Sequence, residues 1–151
     1  MQVTGIDLSQ EMLDELRAKF PDRALELVCA SYFDVDLGTG YDVALSVYSL
    51  HHFFEEEKLA LYRRICEALR PGGVFLLGDF IVDSQELQDL FMAENDRIRT
   101  VHGITDKGLY HIDIPFTMDT EVRLIREAGF SQVRVLHQEA YAGVIIAHRA
   151  E

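Results

Sequence analysis

Short apolar runs alternate along this chain with stretches in which apolar residues recur every three or four positions, the pattern of strands alternating with amphipathic helices. Residues 2–6 read as a short strand ending at Asp7. Ser9 can cap a following helix, with Glu11 favourable in its first turn and Met12, Leu13, Leu16 and Phe20 at helical spacing before Pro21 stops it. Residues 25–30 form the next strand. Residues 42–48 make a nearly continuous apolar run, which predicts a strand buried on both faces. A helix over about 55–70 carries Leu59, Tyr62, Ile65, Cys66 and Leu69 on one face and meets Pro71-Gly72-Gly73, a sharp stop.

Residues 74–80 predict another central strand. Asp83 and Glu86 have capping-box spacing and open a long helix to about Val101. Residues 102–116 are an irregular connection rich in Gly, His and aromatic residues. A helix over about 119–128 follows, with Gly129 as its left-handed C-terminal residue. Two strands, roughly 132–138 and 142–148, close the chain as a hairpin turning near Ala140. The whole predicts an α/β fold with a mostly parallel sheet covered on both faces and one antiparallel strand. It reads as a single domain over 1–151, within which 84–116 form a lid-like helix and connection.

Composition changes this picture little. Hydrophobic residues make up 48% and charged residues 26%, as in an ordinary globular domain. The net charge of −12 argues against a nucleic-acid partner held by electrostatics, because it repels phosphate backbones. No stretch approaches the length of a membrane span, and the N-terminus has neither a basic region nor a cleavage site, so a cytoplasmic protein without a membrane partner is expected. Cys29 and Cys66 fit no zinc spacing and read as buried, reduced and structural.

Four segments resemble the class I, seven-stranded, Rossmann-like S-adenosylmethionine-dependent methyltransferases: VTGIDLSQEML (3–13), YDVALSVYSLHHF (41–53), LRPGGVFLLGDF (69–80) and LIREAGFSQVRV (124–135). Their order and spacing extend over nearly the whole chain. The family opens with a strand, a Gly-x-Gly turn and a helix that nothing here matches, since Met1 stands at the start of what resembles the second strand. The expectation is therefore a methyltransferase sheet truncated at its N-terminus, without the loop that holds the methionine portion of the cofactor. Strand edges left unpaired by that gap could join a second copy as a homodimer.

The resemblance implies S-adenosylmethionine as cofactor. Asp7 would accept the ribose hydroxyls, with Leu8 and Met12 as apolar neighbours of the adenine. Ser31 stands where the family often has an aspartate for the adenine amino group, and Tyr32 could pack on the adenine face. Ser46 and Val47 would supply backbone contacts near the cofactor. Tyr48 and the pair His51-His52 follow at the carboxyl end of the strand, where ligands of open α/β sheets bind. An imidazole there can take a proton from an attacking hydroxyl or amine, and Asp79 would project into the same acceptor pocket.

Glu94 occupies the apolar stripe of its helix, so it either faces the site or lies at the stripe's exposed edge. Tyr110 and His111 could close over the substrate. His51, His52, Asp79, Glu94 and His111 all carry metal-ligating groups, but their separations match no metal motif and no metal is assigned. His102, His137 and His148 read as surface or strand residues.

Three functions compete on these residues. The first is a methyltransferase with a small-molecule acceptor, favoured by the acidic charge. The second is a non-catalytic methyltransferase-like remnant serving as an interaction or dimerisation module, inactive for want of the glycine loop. The third is a nicotinamide-dependent oxidoreductase, since an acidic residue after a second strand also fits a dinucleotide fold. The closing hairpin and the SLHHF and RPGG segments argue against it.

Overall fold

The computed structural model describes residues 2–105 and 112–151. The chain divides into two compact units, 1–38 and 39–151. The first holds strand β1 (Val3–Asp7), helix α1 (Gln10–Lys19) and strand β2 (Leu25–Cys29), with β1 and β2 parallel and Asp7 opposite Cys29. Parallel neighbours need a crossover connection that carries the chain back to the same end of the sheet, and α1 supplies it. Ser9 caps it as expected, its hydroxyl accepting the Met12 N–H at 3.3 Å. Leu13 is the buried apolar side chain of this unit. Cys29, expected inside, is exposed at the end of β2.

The second unit holds β3 (Tyr41–Val47), α2 (Glu55–Ala68), β4 (Leu69–Val82), α3 (Gln85–Val101), β5 (Phe116–Thr117), α4 (Met118–Glu127), β6 (Phe130–Glu139) and β7 (Ala142–Arg149). Its sheet runs β3-β4-β7-β6, and β5 adds two residues alongside the end of β4. β3 and β4 are parallel, whereas β7 runs antiparallel to both β4 and β6, which is the mixed sheet expected. Phe75, Leu77, Ile81, Leu124, Ile125, Phe130, Ile145 and Ala147 form the core. No helix among the described residues is long and apolar enough to cross a membrane.

Three local expectations are corrected. Pro71-Gly72-Gly73 does not stop α2. The helix ends at Ala68, Leu69 is already extended and pairs with Tyr41, and β4 runs on through the glycines. The Arg149 guanidinium stabilises this exit by donating to the carbonyl of Glu67, in the last turn of the helix, and to that of Leu69, just beyond it. The cap of α3 is Ser84 rather than Asp83, its hydroxyl accepting the Leu87 N–H at 3.2 Å. β3 is not buried on both faces: Val43, Leu45 and Val47 share one face and are more than half exposed. Gly129 does take the left-handed conformation (φ 107°) after α4.

Candidate active site: a buried histidine–aspartate pair

Along β4 the residues facing the core alternate as Phe75, Leu77, Asp79 and Ile81. Asp79 thus occupies a position where the period of two calls for an apolar side chain, and it is 1% exposed. A carboxylate there is costly unless it is hydrogen-bonded. Its Oδ1 accepts from the Phe80 N–H at 3.0 Å and lies 2.6 Å from Nδ1 of His51, while Oδ2 is buried with no partner among the described residues. Asp79 was expected at the end of its strand, but β4 continues to Val82 and leaves it inside the sheet.

His51 reaches Asp79 because β3 ends in a tight turn. Tyr48 takes a positive φ of 47° and donates its N–H to the Gly78 carbonyl at 2.8 Å, which reverses the chain beside β4. Leu50 then anchors the turn in the core, and the His51 carbonyl accepts the Ile114 N–H at 2.8 Å. The imidazole is held edge-on between the rings of Tyr48 and Phe80, with centroids 6.3 and 5.8 Å away. The Asp79 carboxylate favours the tautomer with the proton on Nδ1, so Nε2 carries the free lone pair. That Nε2 lies 3.6 Å from Oδ1 of Asp113, and Nδ1 of His52 lies 3.3 Å from the same oxygen. Asp113 is half-exposed, so the cluster opens to solvent on that side.

Of the residues expected at the acceptor, the structure brings together Tyr48, His51, His52 and Asp79. It does not bring Glu94 with them. Glu94 lies on the exposed side of α3, bonded by both oxygens to Arg97 (2.6 and 2.7 Å), whose guanidinium holds its carboxyl below the ordinary value. The buried stripe of α3 runs instead through Gln88 and Asn95, one position away. Ser46 and Val47 stand on β3 opposite Leu77 and Gly78 of β4. Tyr110 and His111 lie outside the described residues, as does part of the lid-like segment.

In the unit 1–38, Asp7 ends β1 with one carboxylate oxygen accepting the Ser9 N–H at 2.8 Å, which leaves the other for an incoming hydroxyl. Leu8 and Met12 are more than half exposed beside it, an apolar surface suited to the flat face of a purine. The Ser31 hydroxyl accepts the Phe33 N–H at 3.2 Å, and Tyr32 is half-buried next to it. These groups fit the nucleoside portion of S-adenosylmethionine.

The sequence reading missed Asp113, which sits in an irregular connection where periodicity carries no information. It also missed a buried ion pair. Lys58 and Glu121 are fully buried and bonded to each other, and the Tyr62 hydroxyl donates to Glu121 at 2.7 Å. That pair had a signal: Lys58 precedes Leu61 and Tyr62 at the spacing of the apolar stripe, and Glu121 stands likewise before Leu124 and Ile125.

Residues 1–73 match the methyltransferase domain family. The carboxy-S-adenosyl-L-methionine synthase of Helicobacter hepaticus is 26% identical over 155 residues, covering 96% of this chain and 64% of its own length. The apo form of the S-adenosylmethionine-dependent methyltransferase SibL superposes with a TM-score of 0.73 at 21% identity, over all of this chain and 44% of that one. Human N-acetylserotonin methyltransferase in complex with S-adenosylmethionine gives 0.69 at 18% identity, over 99% of this chain and 41% of its own. The chain thus spans about half to two thirds of the length of the curated relatives it matches. Over its whole length, then, the chain has the fold of the class I S-adenosylmethionine-dependent methyltransferases, and its first 73 residues match the methyltransferase domain family.

Proposed function

We propose that the protein transfers a methyl group from S-adenosylmethionine to a small-molecule acceptor whose attacking hydroxyl or amine gives up its proton to His51. The observation that carries this reading is the buried pair of His51 Nδ1 and Asp79 Oδ1 at 2.6 Å, with Nε2 turned toward the open side of the cluster. Bound S-adenosylmethionine supplies an electrophilic methyl group on a leaving group already activated by positive charge. The protein's task is then alignment, exclusion of water and removal of one proton. His51 accepts that proton at Nε2. Asp79 holds the ring in the productive tautomer and stabilises the imidazolium that forms, the role a carboxylate plays behind any catalytic histidine. Asp7 fixes the ribose through its free oxygen, with Leu8 and Met12 against the adenine.

The test is calorimetric titration of S-adenosylmethionine into the chain and its Asp7→Ala variant, followed by acceptor screening with His51→Ala and Asp79→Asn. Saturable binding lost in Asp7→Ala is expected. Loss of the base should slow turnover by about 10²–10⁴-fold. A folded chain without affinity for the cofactor would overturn the reading and leave the non-catalytic module in its place.

A second reading rests on the names of the curated relatives, eight of which are carboxy-S-adenosyl-L-methionine synthases at 21–28% identity. On that reading the product is carboxy-S-adenosylmethionine. Mass spectrometry separates the two: a methylated acceptor together with S-adenosylhomocysteine supports the first, and a carboxylated cofactor the second.

A further inference from the structure

We infer that His51, His52 and Asp113 form a site for a divalent transition-metal cation of the zinc class, with Asp79 as its positioning residue. One ligand atom from each residue lies within 4.8 Å of the other two, and the carboxylate is 3.3 Å from His52 Nδ1 and 3.6 Å from His51 Nε2. Ligands about 2.0–2.2 Å from a tetrahedral zinc stand roughly 3.3–3.6 Å apart, so two of the three edges already have the required length. Two imidazoles and one carboxylate are the donor set that borderline divalent metals prefer over calcium or magnesium.

Two features distinguish this cluster from a chance grouping of surface side chains. His51 is buried and its other nitrogen is engaged by a buried carboxylate, which is how metal-binding histidines are held in one tautomer with their lone pair directed outward. The carboxylate ligand is half-exposed, with the two imidazoles at 10% and 17% side-chain exposure behind it, so a cation can enter and still keep coordination positions for water or substrate. The sequence hides the arrangement because 61 positions of chain separate Asp113 from His52. The hydrogen bond from the Ile114 N–H to the His51 carbonyl holds the two segments together beside the ligands.

The inference does not rest on methyl transfer, since all its ligands lie in residues 39–151 and its test needs no cofactor. It does bear on that reading. Nε2 of His51 can accept a proton or bind a cation, not both, so a cation at this site competes with the proposed base.

The experiment is titration of the chelator-treated chain with Zn²⁺ by calorimetry and with Co²⁺ by its visible absorption, on wild type, His52→Ala, Asp113→Ala, Asp79→Asn and His137→Ala. Circular dichroism confirms that each variant is folded. One cation per chain is expected, with a low-symmetry Co²⁺ spectrum. Asp79→Asn should weaken binding about 10–100-fold, as loss of an outer hydrogen-bond partner does, and His52→Ala or Asp113→Ala at least as much. His137, exposed beside Glu139 on β6, should be replaceable without effect. Absence of stoichiometric binding by wild type overturns the inference, as does binding left unchanged in both folded ligand variants. His52 and Asp113 are the more exposed members of the cluster, so the outcome can be decided on them even if a substitution at the buried Asp79 unfolds the chain.

Discussion

Among the described residues, three charged side chains sit where the pattern of the surrounding element calls for an apolar one: Asp79 on β4, Lys58 on α2 and Glu121 on α4. They resolve the cost of burial differently. Lys58 and Glu121 neutralise each other in the core and take the Tyr62 hydroxyl as a further donor, with the Phe116 ring 4.7 Å from the ammonium. Such a closed group is structural. Among the described residues Asp79 has only an imidazole and one backbone N–H, and its second oxygen has no partner, so its one side-chain neighbour in hydrogen-bond reach is His51. Tyr62 permits a direct test of the closed group. Burial pushes its phenol well above the ordinary value of 10.0, and the neighbouring Glu121 carboxylate adds to the rise. A raised folded value means that the contribution to stability is complete below about pH 10 and is lost as pH climbs, because the unfolded chain ionises first. Each pH unit above that point costs up to about 1.4 kcal/mol. Tyr62→Phe should cost about 1.5–3 kcal/mol at neutral pH, the worth of a hydrogen bond to a charged group. Its alkaline loss should be shallower than that of wild type in urea melts at pH 8 to 11. Parallel curves for the two proteins would show that Tyr62 ionises as freely when folded as when unfolded.

At the scale of elements, what was legible in the sequence depended on whether local or distant residues set the outcome. Strands and helices were placed within a few residues because their periods are strong, and the closing hairpin was placed for the same reason. Boundaries failed where a distant group decided them. The end of α2 is set by Arg149, eighty residues away, and by pairing of Leu69 with Tyr41, so the helix stopped before the Pro-Gly-Gly that seemed to end it. The exposed face of β3 failed likewise, since an apolar run alone does not reveal which neighbours cover it. At the cluster, the histidine pair was legible as polar residues following the end of β3, but the place of Asp79 inside β4, the approach of Asp113 and the loss of Glu94 to Arg97 needed three dimensions. The cap of α3 lies one residue beyond Asp83, where the capping-box spacing had put it. Ser84 holds the Leu87 N–H, while Asp83 meets only Gln138 at 3.4 Å. Ser84→Ala should therefore destabilise by about 0.5–2 kcal/mol, or a few degrees of melting temperature, and Asp83→Ala by less than about 0.5 kcal/mol. The reverse order in thermal melts would return the cap to Asp83.

At the scale of the whole molecule, the buried apolar side chains are distributed very unevenly. Every one of them except Leu13 belongs to residues 39–151, which also contain the ion pair and a sheet whose strands β4 and β7 are each paired on both sides. Residues 1–38 form two strands and one helix, below the size at which a domain usually sustains its own fold. A fragment of 39–151 should accordingly melt cooperatively, and 1–38 should show the circular dichroism of an unfolded peptide. The connecting segment offers the natural cut, since Gly38 and Gly40 both take positive φ (71° and 86°) and the residues around them are exposed. The same division separates the two proposed chemistries. The fragment 39–151 retains His51, His52, Asp79 and Asp113 but lacks Asp7, so it should bind Zn²⁺ and show no affinity for S-adenosylmethionine. A fragment that melts without cooperativity would mean that the core of 39–151 depends on residues 1–38. A folded fragment that still bound the cofactor would remove Asp7 from the ribose and place the nucleoside on the second unit.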